Sequence, residues 1–223
     1  MRVAIMQPYF FPYAGYFRLF AAVDLFVALD CVQFPRRGWV HRNRLDDRNG
    51  EKQWLTLPLR KADRDSTRIV DLEFQDDAQS ALRQQVRRFP ALDALEQGVA
   101  GLEQHLFDLG ERPVDYLCDT LAWQAQVLGL QRPMRRSSSL DIDPGLRAQD
   151  RIIAIARAVG ATEYVNAPGG RELYDASGFS HAGLDLHFLS EYGGRFESML
   201  QRLAAEDPAH VAAEINRFTS FDE

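Results

Sequence analysis

The sequence predicts an α/β fold: a mostly parallel, Rossmann-like sheet with a helical insertion in the middle of the chain. Three observations predict it. Short apolar runs at Val3–Met6 and Leu25–Leu29 bracket a stretch of helical spacing, the order strand, loop, helix, strand. From Asp77 to Leu128 the apolar period becomes purely helical, and after it strand and helix signals alternate again. Strands joined through a helix run parallel, and their ligands gather beyond the carboxyl ends of the strands.

Taken in order, Val3–Met6 ends at Gln7-Pro8 and reads as a buried strand feeding a loop. Tyr13, Phe17 and Phe20 follow at helical spacing, and Leu25–Leu29 is the second strand, so that Gln7 to Pro12 and Asp30 to Arg37 share one rim. Asp47-Arg48-Asn49-Gly50, ahead of Gln53 to Leu57, carries the Asn-Gly turn signal and predicts a hairpin. After the polar loop Lys61 to Thr67, Ile69 to Phe74 alternates in part by two and predicts a further strand. The helical middle is marked by Leu82, Val86 and Phe89, then Leu92 to Leu106, then Val114 to Leu128, punctuated by Pro90, Gly110, Pro113 and Gly129. It reads as a subdomain at about 77–130 within one domain spanning 1–223. Arg136 to Leu140 then predicts a strand and Leu146 to Val159 a helix closed by Gly160 in a left-handed cap. Tyr164-Val165 and Leu184 to Leu189 are the last strands, and Asp207-Pro208 signals a final helix to about Phe218.

The composition, 46% hydrophobic and 26% charged in 223 residues, is that of a globular chain and excludes disorder, collagen and coiled coil. A net charge of -6 has the wrong sign for sequence-independent binding to nucleic acid, and no nucleic-acid partner is expected. Leu19 to Leu29 is interrupted by Asp24 and falls short of the ~18 residues a membrane span needs. Met1 to Met6 is too short for the apolar core of a signal peptide. Cys31 and Cys118 make neither a disulfide framework nor a four-cysteine zinc site, so a reducing cytoplasm is the expected setting. His105, His181, His187 and His210 lack ligand spacing with a carboxylate, and no structural metal is expected. No oligomeric state is signalled.

The densest chemical feature runs from Phe34 to Arg44, where Arg36, Arg37, Arg42 and Arg44 fall within nine residues beside Trp39, His41 and Asn43. Guanidinium forks match phosphate and carboxylate, and an indole covers a base or sugar, so the segment reads either as an anion site or as a solvated basic loop. Gln7 to Phe17 packs three Tyr and three Phe into eleven residues around Pro8 and Pro12, a stiff loop at a strand end with Gln7 and Tyr9 as pocket groups. Asp30-Cys31-Val32-Gln33 places a carboxylate, a thiol and an amide on the same rim. Asp30 is a candidate general base with His41 as a second titrating group, and Cys31 is either a nucleophile or an inert buried thiol. Tyr164 to Tyr174 leads a strand into Pro168-Gly169-Gly170, whose free backbone N–H groups suit an anion, with Asn166 as an orienting amide. Ser137-Ser138-Ser139 has no glycine elbow and is expected in a strand or turn.

Several of these segments form an ordered set. Ile5 to Tyr13, Asp30 with Val32-Gln33-Phe34, Arg37-Gly38-Trp39 with Arg42-Asn43-Arg44, and Trp54-Leu55-Thr56-Leu57-Pro58 resemble the WbqC-like family. Glu163 to Asn166 and Pro168 to Tyr174 extend the resemblance nearly end to end. It implies a bacterial protein of O-antigen and lipopolysaccharide biosynthesis, and a glycine or aminoacyl transferase acting on an amino sugar. On that implication a nucleotide sugar presents its diphosphate to Arg36, Arg37, Arg42 and Arg44, and Asp30 or His41 deprotonates the amine. Asn166 and the Gly169-Gly170 backbone then orient the acyl donor, and Tyr174 belongs to the same binding segment. Cys31 stands where the family often carries a second acid, a departure from any paired-carboxylate mechanism.

The cofactor is left open between an acyl donor and ATP. A more distant similarity, to nucleotidyltransferases, rests on the strand, Pro-aromatic loop, helix and strand ending in Asp30, with Tyr13-Ala14-Gly15-Tyr16 where those enzymes carry His-x-Gly-His. It implies amino-acid activation by ATP. A non-catalytic module that binds a nucleotide sugar, another phosphorylated ligand or a protein partner needs the same arginines and aromatics without the titrating groups.

Overall fold

In the computed structural model, which describes residues 1–63 and 66–222, the chain enters the core at once. Strand β1 (Arg2–Met6) buries Val3, Ala4 and Ile5. It gives way at Gln7-Pro8 to a loop, a 3-10 turn at Ala14–Phe17 and helix α1 (Arg18–Ala22), and the chain returns as β2 (Leu25–Ala28). An antiparallel hairpin follows, β3 (Arg42–Asp46) and β4 (Lys52–Thr56), closed around Asn49-Gly50. The helical middle comprises α2 (Ala78–Val86), α3 (Leu102–Phe107) and α4 (Pro113–Val127). Then come β5 (Met134–Arg136), α5 (Ala148–Ala158), β6 (Glu163–Asn166), α6 (Ala176–His181) and β7 (Asp185–Phe188). Helices α7 (Met199–Ala205) and α8 (Pro208–Arg217) close the chain.

The main sheet is parallel throughout in the order β5-β2-β1-β6-β7. The chain builds outward from β1 through β2 to β5, then crosses back to lay β6 and β7 on the other side. This is the doubly wound arrangement, and its switch point, where ligands bind in such sheets, lies between the ends of β1 and β6. Strand alternation divides the core. Val3, Ile5, Val27 and Tyr164 face Ile152, Ile155 and Phe179 of α5 and α6. Ala4, Phe26 and Val165 face Phe17 and Phe20, and the same apolar cluster takes in Leu82, Leu106 and Leu117 of the helical middle.

Several expectations are met locally. Gly160 ends α5 at φ +75°, a conformation open to glycine at no steric cost, and the Asp207 carboxylate caps α8 by accepting from Ala209 N–H. Others need correction. Ile69 to Phe74 is not a strand but a 3-10 turn at Ile69–Asp71, because the N–H groups of Ile69 and Val70 are taken by the rim carbonyls of Val32 and Asp30. The strand expected at Arg136 to Leu140 ends at Arg136, since Ser137 and Ser138 turn to meet Asp30. The apolar series Leu92 to Leu106 is broken at Gly98 and Gly101 into short 3-10 turns before α3 begins. The helix expected from Leu146 starts at Ala148, the Leu146 carbonyl accepting instead from the Arg151 side chain.

Candidate functional site

The carboxyl ends of β1, β2 and β5 form the rim where site residues were expected. Asp30, two residues beyond β2, is completely buried there. Its Oδ1 accepts from Ser137 Oγ at 2.9 Å and Ser138 N at 2.8 Å. Its Oδ2 accepts from Ser138 Oγ at 2.6 Å and Arg136 Nε at 2.9 Å. The Ser137 hydroxyl in turn accepts from the backbone N–H groups of Asp30 and Cys31, at 3.0 and 3.2 Å. Arg136 reaches on to Asp115 of α4. Each carboxylate oxygen therefore holds two donors, as a buried charge requires. The arrangement ties the ends of β2 and β5 together and sets the direction of Cys31.

Beside the switch point lies a cleft of about 540 Å³, into which Gln7, Cys31, Gln33 and Tyr174 bring their side chains, together with Arg68, Arg147 and Arg151. Arg151, in the first turn of α5, donates from Nη1 to Cys31 Sγ at 3.2 Å and spends its other arms on the Leu146 and Pro144 carbonyls. Arg147 likewise donates to Leu146 O at 2.8 Å and to Pro144 O. Among the described residues neither arginine pairs with a carboxylate and no carboxylate lines the cleft. Arg68 on the facing wall is held by Asp71 through two bonds of 2.7 and 3.0 Å. Between Arg147, which precedes α5, and Arg151 in its first turn, Ala148 adopts φ +43°, a strained backbone for an L residue, and strain of this kind collects at binding sites. The chemistry on offer is a cationic pocket for an anionic group with a thiol at its wall.

A second cleft, about 830 Å³, opens on the other side of Arg68 and is lined by Arg112, Arg135, Arg136, Cys118 and Asp119. Burial pushes the Cys118 thiol up to about 12, helped by the nearby Asp30 charge. Burial, with Asp115 nearby, also raises the Asp119 carboxyl above its ordinary range.

The structure does not gather the other expected residues into the rim cleft. His41 lines a separate cleft of about 400 Å³ with Arg36, Arg60 and Lys61, so it does not share a pocket with Cys31. Its ring meets Phe34 edge-on at 4.9 Å, its Nδ1 is buried without a partner among the described residues, and burial, then Arg42, lower its pKa to about 4. Arg36 donates to Ala62 O, and Arg37 is exposed. Trp39, Arg42 and Arg44 gather around Trp54 on the hairpin. Asn43 is buried and gives its amide to the carbonyls of Phe10 and Phe11, a loop clamp rather than a pocket group. Tyr9 packs on Tyr16 with ring centres 5.4 Å apart, while the Tyr16 hydroxyl donates to Gln7 O. Asn166 is buried with Oδ1 on Ala167 N–H, and its Nδ2 lies so close to Gly170 that a Cβ there would stand 2.1 Å away. Gly169 is exposed beside it. The sequence reading missed Arg68, Arg147 and Arg151, although the i, i+4 spacing of the last two at the start of a helix was visible.

Among the described residues no group of three or more His, Cys, Asp or Glu is placed to hold a metal ion, and no helix is long and apolar enough to cross a membrane.

The sequence profile of the WbqC-like protein family matches residues 7–198, a span that contains every residue named in the rim cleft. The uncharacterized protein Rv1507c of Mycobacterium tuberculosis is 27% identical over 204 residues, which cover 87% of this chain and 84% of its own length. No solved structure matches the chain.

Proposed function

The chain belongs to the WbqC-like protein family, and from that premise we propose that it is a transferase that N-acylates a nucleotide-linked amino sugar in surface polysaccharide biosynthesis, moving a glycyl or other aminoacyl group. One observation carries the reading. Beside the switch point of a doubly wound sheet, at the carboxyl ends of β1 and β2, Arg147 and Arg151 stand without carboxylate partners among the described residues, and Arg151 touches the Cys31 sulfur. The diphosphate is taken by Arg147, whose Nε and Nη2 make no hydrogen bond among the described residues, and by the charge and the remaining Nη1 N–H of Arg151. Gln7 and Gln33 take sugar hydroxyls, and the Tyr174 ring faces the sugar.

Cys31 receives the acyl group from a thioester donor. Its sulfur forms the new C–S bond as the donor's C–S bond breaks, and the donor thiol leaves with a proton. The sugar amine then forms the C–N bond while the Cys31 C–S bond breaks, and the departing thiolate takes the proton that the amine loses. Asp30, its oxygens filled, acts through Ser137 as a positioning residue for the Cys31 backbone.

The test begins with thermal melting in the presence of UDP-linked amino sugars, since a ligand of the folded state raises Tm by mass action. A rise that Arg151→Ala abolishes supports the pocket. Incubation with an aminoacyl thioester is then expected to leave an acyl adduct on Cys31 by intact mass, and Cys31→Ser to form neither adduct nor N-acyl sugar. Melting unchanged by any nucleotide sugar, or full turnover by Cys31→Ser, overturns the reading; binding without turnover leaves a binding module.

A further inference from the structure

The aromatic and arginine cluster of the β3–β4 hairpin takes no part in the rim cleft. Strand alternation puts Arg42 and Arg44 on one face, and the register places Arg44 opposite Trp54 and Arg42 opposite Thr56. Both guanidiniums lie over the Trp54 indole, with Cζ 3.9 and 4.6 Å from the ring centre. Trp39 packs against the same indole at 5.3 Å between centroids and remains 43% exposed.

A guanidinium held over a ring by cation–π attraction spends no N–H donor on a hydrogen-bond acceptor there, so the contact holds the fork in place without occupying it. Arg42 commits only Nε, to Gly38 O at 3.3 Å. Among the described residues the side chains of Arg37 and Arg44 donate no hydrogen bond, and none of the three arginines pairs with a carboxylate. In a chain of net charge -6, the two unneutralised cations beside the exposed Trp39 indole, with the exposed Arg37 two residues before it in sequence, make a local excess of positive charge.

We propose that this face binds an anionic saccharide, a short sugar chain bearing carboxylate or phosphate groups. A sugar ring lies on Trp39, and its charged substituent enters the forks of Arg42 and Arg44. A five-residue strand spans roughly 17 Å, room for two or three sugar units. A nucleic acid fits less well, because its binding is driven by neutralising many phosphates and the overall charge opposes it. Trp54 is covered by arginines, which leaves the Trp39 ring rather than a row of rings for stacking.

The test titrates the full chain at low ionic strength with tetragalacturonate, with neutral maltotetraose and with an octathymidylate, followed by tryptophan emission and calorimetry. Tetragalacturonate alone is expected to bind, more weakly as salt is added. Trp39→Ala and Arg44→Ala are each expected to cost about tenfold in affinity, with far-UV circular dichroism unchanged because both side chains are exposed. Arg42→Lys, which keeps the charge and loses the fork, is expected to bind less tightly. Absence of tetragalacturonate binding, equal binding of maltotetraose, tighter binding of the octathymidylate, or undiminished affinity in Trp39→Ala overturns the proposal.

Discussion

The Arg136 guanidinium donates through Nε to the buried Asp30 carboxylate at 2.9 Å, a bond that joins the end of β5 to the end of β2. With Asp30 at zero exposure and four donors on its two oxygens, truncation strands those donors and leaves a half-buried cation with Asp115 alone. Asp30→Ala is expected to lose about 3 to 5 kcal/mol of stability, the usual cost of breaking a buried pair by removing one partner. Asp30→Asn turns part of an acceptor into a donor facing other donors, and is expected to fall between wild type and Asp30→Ala. Urea denaturation reads both. An Asn variant as stable as wild type but inactive would instead make Asp30 a catalytic group.

Phe11 sits at φ +42° with its side chain fully buried, and its carbonyl accepts from Asn43 Nδ2 and from Ser198 Oγ at 2.8 Å. A bulky residue holds such a backbone only when its surroundings over-determine it. Asn43→Ala removes the bonds to both Phe10 and Phe11, and is expected to cost about 1 to 3 kcal/mol. Hydrogen exchange at the amides of the Gln7 to Tyr13 loop should accelerate beyond that at β6, because the strain is released locally. Uniform acceleration across the sheet would place the Asn43 contribution elsewhere.

These two clamps mark where legibility stopped. Devices that act over a few residues were readable: the Asn49-Gly50 turn, the Gly160 cap and the Asp207 cap each carry their cause beside them. Ile69 to Phe74 looked like a strand because its pattern is partly alternating, yet its N–H groups are captured by carbonyls some forty residues earlier in the chain. Asn43 looked like a pocket amide because its acceptors are backbone carbonyls, which no side-chain pattern announces. Arg147 and Arg151 were passed over in favour of the denser cluster at Arg36 to Arg44. What makes the sparser pair the cleft is the turn into α5 at Ala148 and the Asp30 tie that presents Cys31 to it, both products of tertiary packing.

His41 is held neutral by burial and by Arg42, with a pKa lowered to about 4 in the folded chain. In the unfolded chain the imidazole returns to about 6.5, so between these values the unfolded state binds more protons and folding loses stability as pH falls. The loss is absent above about pH 7 and is essentially complete below pH 4, amounting to about 2 kcal/mol once the partial exposure of the ring is allowed for. His41→Phe keeps the edge contact with Phe34 and cannot titrate. The stability difference between wild type and His41→Phe, from denaturant melts at pH 7.5 and 4.5, should shift in favour of the variant at the lower pH. A difference independent of pH, or a shift toward wild type, would show that His41 is not buried as a neutral ring.

Cys31 and Cys118 offer an internal comparison. Cys118 is buried on α4 with its thiol pushed up to about 12, whereas Cys31 is half-buried at the wall of the rim cleft with an Arg151 donor on its sulfur. Alkylation of the native chain should therefore modify Cys31 and spare Cys118 until denaturant is added. The charge of the cleft adds a sharper test. Iodoacetate is an anion and iodoacetamide is neutral, so the carboxylate reagent is concentrated near Arg147 and Arg151, which have no carboxylate partner among the described residues, while the amide is not. The ratio of the iodoacetate rate to the iodoacetamide rate at Cys31 should exceed that of a free cysteine. It should fall in Arg147→Ala, and again in high salt as the field is screened. A UDP-linked amino sugar seated on the same arginines should protect Cys31 from both reagents. A rate ratio equal to that of free cysteine, insensitive to salt and to Arg147, would remove the anion-binding role of the cleft, because the ratio cancels any difference in the intrinsic reactivity of the thiol.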